Sequence, residues 1–84
     1  MDVSGTDKEL NAAVALALLL RKTVTRKTFP QIADVSGLNE RTVKRYLHGE
    51  RQIGVGALVV LARAMDTTAQ KILADVEAAE NKSE

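Results

Sequence analysis

Five polar residues just before Gly49 share one side of a helical period: Glu40, Arg41, Lys44, Arg45 and His48. Val43, Tyr46 and Leu47, spaced i, i+3 and i+4, take the opposite side. Long cationic side chains on one stripe of a helix suit contact with a nucleic acid. Guanidinium and ammonium groups can meet guanine O6 and N7 in a major groove, while others take the phosphates beside it. Arg41 and Arg45 are the candidates for contact with DNA from this stripe, and Lys44 for a phosphate. Glu40 can accept from cytosine N4, and it also suits the positive end of a helix. The plain alternative is a solvated helix face.

Such a helix is useful only if its angle is fixed. The stretch from Thr28 to Gly49, TFPQIADVSGLNERTVKRYLHG, reads as two short helices joined by one tight turn. Thr28-Phe29-Pro30-Gln31 is a capping box, with Pro tolerated in the first turn because its missing N–H would be unpaired anyway. Ile32 and Ala33 give this helix an apolar side, and the small Ala33 allows a close crossing. The helix is expected to end near Ser36, with Gly37 where a left-handed backbone is needed. Asn39 is a good N-cap for the next helix, Leu38 can staple onto Val43, and Gly49 terminates it.

With these residues in view, the stretch resembles the helix-turn-helix of the phage lambda repressor and Cro class, the bacterial XRE-like regulators. The matching positions are Ile32 and Ala33, Gly37, Leu38, Val43 and Tyr46, and the likeness continues through Gly49-Glu50-Arg51 and the apolar helix that follows. It covers most of the chain, from about Leu10 to Leu73. It implies an all-α, compact five-helix lambda repressor-like domain whose second motif helix, about 39–48, enters the major groove. The DNA-contacting residues it implies are Thr28, Gln31, Asn39, Glu40, Arg41, Lys44, Arg45, His48 and Arg51. Two positions depart from the family. Phe29 stands where Gln usually touches a phosphate, with Gln31 a substitute in a different register. Leu47 stands near a position that often carries Glu paired to an Arg of the first helix, so Arg21 or Lys22 needs another partner or water.

The 84 residues suit a single domain with a small helical core. Aromatic residues are only 2%, so Leu, Val, Ile and Ala must fill that core. There is no cysteine, which excludes disulfides and thiolate metal sites and suits a reducing cytosol. The net charge of +1 conceals a segregation. Arg21, Lys22, Arg26, Lys27, Arg41, Lys44, Arg45 and Arg51 face only Asp34, Glu40 and Glu50 within that segment, and the rest of the chain is acidic. One basic surface on a nearly neutral protein is the expected result.

The remaining elements support the motif. Residues 1–5 and 77–84 read as frayed ends. Thr6-Asp7-Lys8-Glu9 is a capping box for a first helix running to about Lys22, followed by a loop from Thr23 to Lys27. Leu10, Val14, Ala17 or Leu18, and Arg21 form one stripe of that helix; Leu16, Leu19 and Leu20 widen it. This predicts deep burial between other helices, with a dimer seam as the alternative. A loop at Glu50 to Gly54 leads to a helix ending at Asp66, with Val55, Leu58, Val59, Ala62 and Met65 facing inward. Gly54 and Gly56 are expected to let its start approach core or phosphate. Thr67-Thr68-Ala69-Gln70 is a third capping box, and Ile72, Leu73 and Val76 give the last helix its face.

No convergent set of reactive groups emerges, so no catalytic role, cofactor or metal is expected. His48 is the single His and lacks the partners of a ligand motif. The apolar run from Ala12 to Leu20 is too short to cross a bilayer and lacks signal-peptide flanks. The leading functional reading is a sequence-specific regulator that binds double-stranded DNA in a bacterial cytoplasm, a small Cro-like phage or prophage repressor. Its operator would be an inverted repeat bound by a homodimer through Met65 to Val76, with Ile72 or Val76 exposed for the contact; the competing role for Ile72, Leu73 and Val76 is to close the monomer core. One alternative is a DNA-binding antitoxin with the same motif; another is a helical protein-interaction module.

Overall fold

Apolar residues every three or four positions, punctuated by Gly and by capping Thr or Asn, fold here into five helices. The computed structural model describes residues 3–82, with side chains from Lys8 to Ala79. The elements are α1 (Val3–Thr25), α2 (Phe29–Ser36), α3 (Glu40–Leu47), α4 (Val55–Ala64) and α5 (Ala69–Lys82). The described residues include no strand, and the fold is all-α and compact, as expected.

Each helix contributes at least one aliphatic side chain that is lost to solvent: Leu18 from α1, Ile32 from α2, Val43 and Leu47 from α3, Leu61 from α4 and Ile72 from α5. Burial of one such side chain contributes about 1.5–3 kcal/mol, so the scarcity of large rings is made good by aliphatic packing. α1 packs on α3 and α5, α2 on α3 and α4, and α4 on α5. Helix α3 is thereby fixed from two sides.

Two polar side chains tie α1 to the far parts of the chain. Asn11 accepts at Oδ1 from the Ile53 N–H (2.7 Å) and donates from Nδ2 to the Arg51 carbonyl (3.2 Å), pinning the α3–α4 loop. Arg21 donates from Nε to the Met65 carbonyl (3.0 Å) and from Nη2 to the Asp66 carbonyl (2.8 Å). A guanidinium there satisfies carbonyls left open at the end of α4 and meets the negative end of its dipole. Asp66 takes a left-handed φ of 59° and its carboxylate pairs with Lys27 at 3.4 Å.

Several boundaries differ from the sequence reading. α1 begins at Val3, which puts Thr6 inside the helix rather than at its cap; the Thr6 and Asp7 side chains lie outside the described residues. Helical backbone also covers 3–5 and 77–82, whereas Met1, Asp2, Ser83 and Glu84 lie outside the described residues. α1 continues past Lys22 to Thr25, where the Thr23 and Thr25 hydroxyls donate to the carbonyls of Leu19 and Arg21, and Arg26 ends it at φ 59°. The cap of α5 is Thr68, whose Oγ1 accepts from the Lys71 N–H, one residue later than expected. Gln70 therefore falls out of capping register.

The expected faces also shift. Leu16 and Leu20 are each 57% exposed, not deeply buried, and with Val24, Val76 and Ala79 they line a groove between α1 and α5. The other helices of so short a chain cannot cover both sides of a 23-residue helix. Val55, at the start of α4, is 80% exposed, and Leu61 and Ala64 join the buried face that Leu58, Ala62 and Met65 share. Ile72 and Val76 are buried in the monomer, so they are not available to a partner; Leu73 is the partly open residue of α5. Gly54 and Gly56 approach nothing in the protein, since a Cβ at either would meet no atom within 4 Å.

Gly37 and Gly49 both take a left-handed backbone, and Gly37 sits at the turn between α2 and α3. A Cβ there would likewise meet nothing within 4 Å, but φ is 78°. Gly37→Ala is expected to lower stability by about 1–2 kcal/mol through the left-handed penalty alone. Urea denaturation measures this, and an unchanged midpoint would show that the turn does not depend on glycine.

Candidate nucleic-acid interface

The α2–turn–α3 unit is specified by reciprocal caps. Thr28 Oγ1 accepts from the Gln31 N–H (3.2 Å), and Gln31 Oε1 accepts from the Thr28 N–H (2.9 Å). At the other end Gly37 donates its N–H to the Ala33 carbonyl. Asn39 Oδ1 then accepts from the Thr42 N–H at 2.8 Å, opening α3 two residues after the turn. Leu38 is half-buried and packs on the core cluster that contains Val43. Gly49, at φ 73°, closes α3 with two bonds: its own N–H donates to Tyr46 and the Glu50 N–H to Arg45. Both ends of α3 are thus held by local hydrogen bonds.

α3 divides as its sequence period requires. Val43, Tyr46 and Leu47 are buried, while Glu40, Arg41, Lys44, Arg45 and His48 are exposed. Lys44 pairs with Glu40 at 3.4 Å, one turn away, and His48 Nδ1 lies 3.8 Å from a Glu50 carboxylate oxygen. Arg41 and Arg45 enter no ion pair among the described residues. Thr28, Gln31, Asn39 and Arg51 are exposed as well. The Thr28, Gln31 and Asn39 oxygens are committed to caps, which leaves the Thr28 hydroxyl hydrogen and the two amide NH2 groups as donors for a ligand. Arg51 lies over the Tyr46 ring, 5.4 Å from its centroid, which keeps the guanidinium beside α3.

The segment's cations do not all serve one surface. Arg21 and Lys27 are bound into the α4–α5 corner through Met65 and Asp66, so the basic face expected of residues 21–51 lacks these two. The partner that Arg21 or Lys22 needed is therefore internal for Arg21. For Lys22 it is Phe29, with the ammonium 4.4 Å from the ring centroid. Asn11 is a positioning residue that sequence reasoning missed, because a single polar residue near the start of an apolar helix carries no motif. Among the described residues no group of His, Asp and Glu is arranged to hold a metal ion, and no helix is long and apolar enough to cross a membrane. The chain matches no protein-family model and no curated protein.

The Asn11 clamp governs the loop that carries Arg51. Asn11→Ala is expected to cost about 1–3 kcal/mol in stability, the worth of two typical hydrogen bonds. Amide exchange at Ile53 should rise more than exchange at Leu47, and equal changes at both would show that the loop is not held by this side chain.

Proposed function

We propose that this chain is a sequence-specific double-stranded DNA-binding regulator of the lambda repressor and Cro class, working in a bacterial cytoplasm as a small Cro-like repressor. The observation that carries the reading is the divided surface of α3. Its inner side is anchored by Val43, Tyr46 and Leu47, and its outer side presents Arg41 and Arg45 with no described ion pair to hold them back.

In this reading α3 enters the major groove. Arg41 and Arg45 reach base edges, where a bidentate guanidinium selects guanine, and Lys44 meets a phosphate. Glu40 restrains Lys44 in the free protein and can accept from a cytosine N4 amine. Thr28, Gln31, Asn39, His48 and Arg51 surround α3 and take the flanking backbone. One such helix reads only a few base pairs, so two copies on an inverted-repeat operator are part of the proposal. Leu73, not Ile72 or Val76, is the large apolar residue that α5 offers to that contact among the described residues.

Arg41→Ala and Arg45→Ala should each weaken binding to a site selected from a random DNA pool by about 1–3 kcal/mol, with a smaller loss on mixed-sequence DNA. Equal losses on both would argue against base readout. Wild-type affinity should also fall steeply with salt as counterions are released; a flat response favours a protein-interaction module. Sedimentation on the selected site should give two protomers per duplex, and a single protomer on DNA without an inverted repeat would remove the dimer from the proposal.

A further inference from the structure

Phe29 begins α2 as a half-buried ring packed against the core. Two ammonium groups from different helices converge on it. Lys22 Nζ comes from α1 to 4.4 Å from the ring centroid, and Lys44 Nζ comes from α3 to 5.5 Å. His48 meets the same ring edge-on, with centroids 6.0 Å apart and planes at 78°. A ring attracts a cation electrostatically through its face and consumes none of the three N–H donors. The two lysines are therefore positioned with donors to spare.

A purely structural role would need one of these cations at most, since bringing two like charges to one ring is opposed by their repulsion. The backbone at this corner offers little positive character of its own. The Gln31 N–H is taken by Thr28 Oγ1, the Thr28 N–H by Gln31 Oε1, and Pro30 has no N–H. The Phe29 N–H is the one first-turn amide without an internal acceptor among the described residues, so an anion seated here relies mainly on the side chains. Glu40 already shares Lys44 at 3.4 Å, whereas Lys22 enters no ion pair among the described residues. Lys22 therefore has the larger unspent charge.

We propose that Lys22 and Lys44, held on Phe29, form a seat for phosphodiester groups of the nucleic-acid backbone, with Lys22 as a binding residue and Phe29 as its positioning residue. This seat rests on the DNA-binding reading of α3, because Lys44 lies on the same outer face. It extends the contact surface from α2 and α3 onto the end of α1 and fixes how deeply α3 can sit, since the ring anchors both cations to the core. A pre-positioned lysine also loses less rotamer freedom when the phosphate arrives.

The test uses the full chain and a mixed-sequence duplex, on which phosphate contacts dominate. The slope of log affinity against log salt is read for wild type, Lys22→Ala, Phe29→Leu and Phe29→Tyr, beside each variant's melting midpoint. Lys22→Ala should make the slope shallower by about 0.9, the loss of one phosphate. Phe29→Leu should keep the slope but weaken low-salt binding by about two- to tenfold, the entropic cost of ordering a loose side chain, and Phe29→Tyr should restore it. If Phe29→Leu fails to fold, the Lys22→Ala slope decides, because that lysine lies outside the core. A wild-type slope in Lys22→Ala, in a protein where Arg45→Ala still loses preference for its selected site, overturns the seat and leaves the α3 reading standing. Absence of salt-dependent binding by the wild-type chain overturns both.

Discussion

The left-handed backbone at Gly37 is the constraint on which the rest of the site depends. A single residue at φ 78° lets α2 stop and the cap of α3, Asn39, follow two residues later, with Ile32 and Val43 both turned into the same core. Any other angle would swing the outer side of α3 away from Thr28, Gln31 and Arg51. The caps on either side, Thr28 with Gln31 and Asn39 with Thr42, convert that geometry into satisfied hydrogen bonds, so the turn is held by backbone partners rather than by its own small core contact.

Charge is sorted by the same framework. Cations at the α1 end of the molecule divide into two kinds: Arg21 and Lys27 close the corner after α4, while Lys22 turns toward Phe29 and α3. A guanidinium suits the first task because its planar fork bonds two carbonyls at once; a compact ammonium suits the second because it can sit over a ring and still donate. Sequence proximity thus says little about which of these neighbours faces a ligand. The deciding factor is the helical phase of α1 relative to the α4 C-terminus, a tertiary property.

Much of the motif was legible because its signals are local. The Thr28–Gln31 box, Gly37, Asn39 and the period of Val43, Tyr46 and Leu47 each act within four residues, and the structure has each of them as read. The differences in burial share one cause: which helix covers a given apolar side chain is a tertiary property that the period of its own helix does not carry. Leu16, Leu20 and Val55 remain open because no other helix covers them, and Ile72 and Val76 close because α5 folds back on α1. Asn11 and the Phe29 cluster were illegible for a related reason: their partners lie on other elements, at sequence distances that no motif spans.

Amide chemical-shift mapping of the full chain against a mixed-sequence duplex tests the central claim most directly, because it reports the contact surface without requiring the operator. The perturbed amides should cluster at Asn39 to His48, with Thr28, Gln31 and Arg51 at the margins, and leave the α1–α5 groove at Leu16, Leu20 and Ala79 unmoved. Perturbation centred on that groove, with α3 silent, would contradict a DNA-reading role for α3.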